Sequence, residues 1–227
     1  MTTPLATPSP MAAQQIEQAV RERRSTDYVF EFWSALGWTV LTFGLYAFYV
    51  FYQLMRRSRD HNRRRAALLG AAHDLAWQRA VEQGTAESLR PVFDRVNADV
   101  QQLRGMNSEF RDPAIWLLLS FVGGGLVWLA EAILLDQDLV RHERHERAAE
   151  AGLTELFAAM GVMLPAPIPA AKQPHNYVGR IVAVVCTFGF YSLWWVADVM
   201  REGNANYQQD DAWEDALAQA AATPTRG

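Results

Sequence analysis

The chain has 227 residues, half of them hydrophobic, and a formal net charge of −4. That charge argues against a general nucleic-acid-binding protein, which is normally basic, and the single cysteine argues against an intrachain disulfide. Apolar residues gather in three blocks that are separated by charged segments. This segregation predicts an all-α integral membrane protein with three transmembrane helices and long amphipathic helical extensions.

The first apolar block follows a polar N-terminal tail, residues 1–27, of which residues 1–12 are expected to be disordered because large apolar groups are few. Residues 28–55 are predicted to form transmembrane helix 1, since positions 32–55 contain no charged residue. A helix over those positions runs about 36 Å, enough to cross a hydrocarbon core of ~30 Å.

Residues 56–111 are predicted to form a polar helical hairpin that turns near Gly84. Its second helix, over 86–104, carries apolar side chains at alternating spacings of four and three residues. This seam either closes the hairpin or contacts a partner. It consists of Leu89, Phe93, Val96, Val100 and Leu103.

Transmembrane helix 2 is predicted over 112–135, with Asp112 as its N-cap and Pro113 at the first helical position. A polar helical extension, 136–164, follows it. Repeated prolines end that extension in a Pro-rich loop, 165–176, because proline cannot continue a helix.

The third apolar block is predicted to form transmembrane helix 3 over 177–200, with Asn176 as a possible cap. Residues 201–227 then form a C-terminal polar helix and tail. Positions 218–227 are expected to be disordered, because Ala, Pro and Thr dominate them.

The stretch TFGLYAFYVFYQLMRRSRDHN at 42–62 has a relative, TFGFYSLWWVADVMREGNAN, at 187–206, an offset of 145 positions. A looser match at an offset of 81 pairs Gly44 with Gly125 and His61 with His142. The predicted unit of construction is one membrane helix plus its polar extension, used three times. The repeat motif consists of Thr42, Phe43, Tyr46, Thr187, Phe188 and Tyr191.

Glycines near the middle of each block are expected to pack helices, because small residues let helix backbones approach closely in lipid. Local flexibility is the alternative. The glycines concerned are Gly44, Gly123, Gly124, Gly125 and Gly189.

The pattern Thr42-Phe43-Gly44-Leu45-Tyr46, followed by aromatic residues and a polar exit, resembles small bacterial membrane proteins grouped as domain of unknown function four-two-three-four. The resemblance covers the three apolar blocks and their exits, and the middle copy lacks the tyrosine. It implies a membrane location and no particular activity.

The positive-inside rule favours an N-out, C-in orientation in the bacterial inner membrane. Segments 56–112 and 201–227 hold 13 Lys and Arg, against 8 in segments 1–31 and 136–180. Arginines directly after the first block are expected to contact anionic lipid headgroups. They are Arg56, Arg57, Arg59, Arg63, Arg64 and Arg65.

Two acidic residues, Glu131 and Asp198, lie within the predicted spans, where such groups are either functional or placed at the lipid boundary. His142 and His145 lie three residues apart and could share a metal with Glu146, but the alternating charges around them favour a solvated face. No catalytic motif or phosphate loop is present, so no cofactor, metal or catalytic residue is predicted.

The sequence therefore predicts a non-enzymatic membrane scaffold or accessory subunit that associates with itself or with another membrane protein. The alternative is a small oligomeric transporter or channel in which Glu131 or Asp198 lines the path.

Overall fold

The computed structural model describes residues 10–108, 112–169, 173 and 175–223, and within these ranges the regular elements are all helices. The all-α prediction is confirmed. In chain order the helices are α1 (Pro10–Thr26), α2 (Phe32–Leu41), α3 (Leu45–Glu82), α4 (Ala86–Ser108), α5 (Pro113–Ala159), α6 (Tyr177–Cys186), α7 (Tyr191–Gln209) and α8 (Asp211–Ala222).

The polar segments fold together around one apolar core. Each of α1, α3, α4, α5 and α8 contributes buried side chains to it, such as Ile16, Leu69, Val96, Leu153 and Leu217 respectively. The seam predicted on α4 packs into this core and closes the α3–α4 hairpin, which turns at Gly84 with a φ of 70°. Burial of these faces stabilises helices that would be marginal in isolation.

Two stretches expected to be disordered are partly helical. Helix α1 begins at Pro10 and α8 ends at Ala222, because Ile16 and Leu217 bury their side chains completely in the core. The expectation of disorder was therefore wrong for residues 10–12 and 218–222, while residues 1–9 and 224–227 lie outside the described ranges. So do positions 170–172 and 174 of the Pro-rich loop.

The first apolar block turns back on itself. Helix α2 ends at Leu41, and α3 begins at Leu45 after a turn in which Phe43 has a φ of 52° and Gly44 a φ of 91°. The Gly44 N–H donates to the Thr39 carbonyl oxygen at 2.8 Å, a bond that closes a helix C-terminus.

The two arms of this hairpin are antiparallel. The rings of Trp38 and Tyr46 approach to 6.4 Å near the turn. Further from it, the Tyr28 hydroxyl donates to the Gln53 carbonyl oxygen at 2.8 Å. A single reversal of the chain, at Thr42 to Gly44, brings both of these pairs into contact.

The third apolar block repeats this geometry. Phe188 and Gly189 have φ values of 51° and 91°, and the Thr187 hydroxyl accepts from the Tyr191 N–H at 2.9 Å, as Thr42 accepts from Tyr46 at 2.9 Å. The Arg180 guanidinium donates to Asp198 at 2.9 Å across the two arms. Helices α6 and α7 thus form a second antiparallel hairpin.

The middle block also reverses, within the bounds of α5. Gly124 has a non-helical φ of 52° and ψ of −134°, and the Ser120 hydroxyl donates to the Glu131 carboxylate at 2.9 Å. Residues eleven apart in a straight helix are separated by about 16 Å along its axis, so the chain must fold back near Gly124.

Among the described helices, α5 alone combines the length and the apolar composition needed to cross a bilayer, while α2 and α6 are apolar but have ten residues each. The observed repeating unit is therefore a short helical hairpin plus an extension, and not the predicted single long helix plus an extension. Its second arm continues directly into the polar bundle.

The repeat offsets predict which side chains meet inside this bundle. Leu54, Leu135 and Val199 occupy equivalent repeat positions and share one apolar cluster between the hairpins. Deeper in the polar bundle, Ala72, Leu153 and Leu217 are equivalent and share its core. The three units are thus arranged around a common interior.

Candidate functional site

The hairpins present an exposed apolar surface. At their turns, Phe43 is 98%, Phe188 95% and Val122 86% exposed. Among the described residues, all but five of the exposed large apolar side chains lie within 32–55, 113–135 or 177–200. Apolar surface of this extent on one end of a protein marks a contact with a membrane or another protein.

The glycines serve these turns rather than the predicted packing between helices. Gly44, Gly124 and Gly189 have positive φ values, a conformation that glycine adopts without steric cost. A Cβ atom built on any of the three, or on Gly125, would meet nothing within 4 Å, and one on Gly123 would meet Val127 of its own hairpin. Among the described residues, no atom of another helix lies within 4 Å of these five Cβ positions, so the predicted close packing through the glycines is not seen within this chain.

An apolar cavity of about 270 Å³ lies between the three hairpins. Within the described part of the chain, Thr39 and Ser192 are the hydroxyl-bearing residues of its lining, and no charged side chain lines it. The apolar walls come from all three units and include Ala35, Val50, Leu129, Ala132, Val184 and Val196.

The two acidic residues of the predicted spans lie in different settings. Glu131 is buried, and the Ser120 hydroxyl holds one oxygen while the other has no hydrogen-bond partner among the described residues. Asp198 is half-buried and accepts from Arg180 at 2.9 Å and Arg201 at 2.7 Å. Neither lines the cavity.

Three of the six arginines assigned to lipid headgroups are instead buried in the protein. Arg57 donates to Asn204 at 2.6 Å and lies over the Tyr207 ring, and Arg64 and Arg65 bind carboxylates. Their headgroup assignment is wrong because the second arm of the hairpin continues into the bundle interior. Arg56, Arg59 and Arg63 remain exposed or half-exposed, and for these three headgroup contact stays a prediction.

A buried ion cluster lies beneath the hairpins. Arg65 is fully buried, binds Glu146 and Glu150, and donates to Glu214 at 2.8 Å. Equivalent repeat positions 65, 146 and 210 meet here, because Arg65 also lies 3.6 Å from Asp210. The members of the cluster are Asp27, Arg64, Arg65, Glu146, Arg147, Glu150, Asp210 and Glu214.

Burial and ion pairing shift the pKa values of the cluster in opposite directions. Burial opposes ionisation of Glu146, but Arg65 outweighs it and holds the pKa of Glu146 well below its usual range. For Asp27 burial is likewise outweighed, by His61 and Arg64, and the pKa falls to about 2. Burial dominates at Asp210 and raises its pKa to about 8.

Two histidines border the cluster. His61 and His142 are buried with ring centroids 6.1 Å apart, and Nδ1 of each faces a carboxylate, Asp27 at 2.8 Å and Glu146 at 3.1 Å respectively. The interpretation of this charged segment as a solvated face was wrong at His142 and Glu146, which are buried. His145 points to Asp99 at 2.8 Å and does not share a site with His142. The match at an offset of 81 was the sequence signal for His61 and His142.

Sequence reasoning missed a second polar group, which joins the loop before α6 to α5 and α7. His175 lies between Asp136 at 2.7 Å and Glu202 at 3.1 Å, and the Tyr177 hydroxyl donates to Asp136 at 2.5 Å. These contacts fix the first arm of the third hairpin against the other two units.

No protein-family model, curated protein or solved structure matches the chain. The resemblance to domain of unknown function four-two-three-four therefore stays a prediction.

Proposed function

We propose that the protein is a membrane-anchored helical scaffold whose three hairpins insert into one leaflet of the bilayer. The observation that carries this proposal is the exposed apolar surface concentrated on the three hairpins. Arms such as α2 have ten residues, which corresponds to about 15 Å. That is half of a hydrocarbon core of ~30 Å, so each hairpin reaches the middle of the bilayer and returns.

The shared core of the polar segments supports insertion from one side. Three complete spans would place the extension after α5 on the opposite side of the membrane from α4. Yet Leu153 of α5 and Val96 of α4 belong to one apolar core. In the hairpin arrangement all polar segments emerge on the same side and can pack together.

Exposed arginines favour the cytoplasmic face of the bacterial inner membrane. Arg56 and Arg63 project from α3 where it leaves the first hairpin, and basic residues near the surface are attracted to anionic lipids by about 1 kcal/mol each. The large helical domain on that face is suited to binding another copy of the chain or another membrane protein, and needs no catalytic group for that role.

The alternative of a transporter or channel has weaker support. A path for ions requires polar groups along a cavity, whereas the cavity between the hairpins has apolar walls and excludes Glu131 and Asp198. The assembly would have to supply the polar lining. Ion flux through vesicles that is abolished by Glu131→Gln would favour this alternative over the scaffold.

Site-directed labelling distinguishes the hairpins from three spans. In a Cys186→Ser background, single cysteines replace Gln83, at the α3–α4 turn, and Met163, after α5; both positions are exposed. A membrane-impermeant maleimide is added to right-side-out and to inverted vesicles. The hairpin arrangement predicts that both positions react in the same vesicle type, and reaction in opposite types would establish spans instead.

A third cysteine, in place of Phe43, tests insertion itself. In vesicles it should resist the impermeant reagent, and it should react after solubilisation in denaturant. Rapid reaction in intact vesicles, together with extraction of the protein by alkaline carbonate, would contradict the membrane anchor.

A further inference from the structure

The two buried histidines and Glu146 form a compact set of ligand atoms. One ring nitrogen of His61, one of His142 and one Glu146 oxygen lie within 4.8 Å of one another. The exposed fractions of the three residues are 1%, 2% and 0%. The three ligand atoms come from two helices of the bundle: His61 lies on α3, and His142 and Glu146 lie on α5.

An unpartnered nitrogen atom points to a ligand at this position. Nε2 of His61 is buried and has no hydrogen-bond partner among the described residues. A buried polar atom without a partner is unfavourable, and a bound cation would satisfy it by taking the nitrogen lone pair.

The second nitrogen of His61 is oriented as in known metal centres. Asp27 accepts from Nδ1 at 2.8 Å, which fixes the tautomer and leaves the Nε2 lone pair available. Metal-binding histidines commonly donate their other ring N–H to a carboxylate in this way.

The spacing at His142 also suits a metal. Its Nδ1 lies 3.1 Å from a Glu146 oxygen, and two ligands of one tetrahedral zinc ion, each bound at about 2.0–2.1 Å, are separated by a similar distance. The same 3.1 Å therefore fits a hydrogen bond in the metal-free protein and a shared ion in the metal-bound one.

From these observations we propose that His61, His142 and Glu146 bind one divalent transition-metal ion. Two imidazole nitrogens and one carboxylate oxygen suit Zn²⁺, and also Mn²⁺ or Fe²⁺. Three protein ligands leave one position of a tetrahedral zinc ion for water or a further group. The site joins the α3 and α5 units beneath the hairpins, so the ion stabilises the junction between hairpin and bundle.

Metal content of the full-length protein tests the proposal. The protein is purified in mild detergent, its metal is removed with a chelator, and it is reloaded with Zn²⁺ alone. Elemental mass spectrometry then measures the metal content. The wild type should hold about one Zn²⁺ per chain and should unfold at a higher temperature than the stripped form. A stripped protein that takes up no stoichiometric metal, with an unchanged unfolding temperature, would overturn the site.

Matched variants assign the ligands. His61→Ala and His142→Ala should each lose the stoichiometric ion, whereas His145→Ala, on the same helix as His142 but paired with Asp99, should keep it. Asp27→Asn should weaken Zn²⁺ binding about ten- to a hundredfold. Retention of one ion by both His61→Ala and His142→Ala would refute the assignment.

X-ray absorption by the zinc-loaded wild type remains decisive if a histidine variant fails to fold. The spectrum should show nitrogen and oxygen neighbours at about 2.0–2.1 Å with the scattering pattern of two imidazoles. A spectrum without imidazole would assign the zinc to surface carboxylates and reject the buried site.

Discussion

The Ser120 hydroxyl donates a hydrogen bond of 2.9 Å to the Glu131 carboxylate, although eleven residues separate the two along α5. A straight helix would hold them about 16 Å apart along its axis. The contact therefore shows that the chain reverses near Gly124. The middle block is thus a hairpin like those formed by α2–α3 and α6–α7.

Valine in place of Gly44 should destabilise the first hairpin. Gly44 has a φ of 91°, which a β-branched residue adopts only with strain, so the free energy of unfolding should fall by about 1–3 kcal/mol. Thermal unfolding in detergent measures the change. Gly37→Val is the control, because Gly37 lies within α2 with open space around its Cβ position; an equal loss in both variants would contradict the role of φ.

Charged residues at two hairpin turns should weaken membrane binding. Phe43→Asp and Phe188→Asp replace nearly fully exposed side chains, and each aspartate at the bilayer centre costs about 2.5–3.5 kcal/mol. Flotation with liposomes should show a large loss for the double variant. Val81→Asp, at an exposed position near the end of α3 in the polar bundle, should float like the wild type, and equal flotation of all three proteins would argue against insertion through the turns.

Removal of Arg65 should be among the most damaging single changes. Arg65→Met leaves Glu146, Glu150 and Glu214 without their shared partner, and breaking a buried ion pair costs about 3–5 kcal/mol. Denaturant unfolding of Arg65→Met and Arg63→Met compares a buried with an exposed arginine of the same helix. The exposed one should change stability by about 0.5 kcal/mol or less; a similarly small loss for Arg65→Met would contradict the structural role of the cluster.

Asp27 should make the protein sensitive to acid. The pKa of Asp27 falls from 3.8 in the unfolded chain to about 2 in the fold, which corresponds to about 2 kcal/mol of stability. A lowered carboxyl pKa stabilises the fold above pH 3.8, and the contribution disappears as the pH falls through about 2. The stability difference between the wild type and Asp27→Asn should therefore shrink over that interval, and a constant difference would contradict the shift.

Asp210 should act in the opposite direction. Its pKa rises from 3.8 to about 8 in the fold, mainly through burial and with Glu146 and Glu150 adding to it against Arg65 and Arg147. The ionised form is therefore disfavoured in the folded state, and the wild type should gain stability relative to Asp210→Asn as the pH falls from about 8 to about 4. Chemical unfolding at several pH values measures this gain, and its absence would show that Asp210 stays ionised.

The amino-acid sequence by itself determined the all-α class, the three apolar blocks and the repeat offsets. These features are local: a run without charges, a seam on α4 and glycines such as Gly44 and Gly189 at matching positions can be read along the chain. The offsets even pair His61 with His142. The blocks and the seam can be identified because each depends on residues within a few helical turns, and the offsets because one such local pattern recurs 81 and 145 positions later.

Only the tertiary structure decided whether each block runs straight or turns back. A straight helix and a hairpin both satisfy the backbone and expose similar apolar side chains, so local preferences do not separate them. Phe43, with a φ of 52°, adopts a conformation that is uncommon outside glycine. The turn is held by contacts between the arms, such as that of Trp38 with Tyr46.

The buried ion cluster also depends on tertiary structure. Charges such as Arg64 and Arg65 read as a solvated or lipid-facing run in sequence, yet Arg65 meets Glu146 and Glu214 from positions 81 and 149 residues later. Periodicity tells which face a helix presents, but not which helix that face will meet. Desolvation and ion pairing among distant residues settle that question, and they exist only once the three units have packed together.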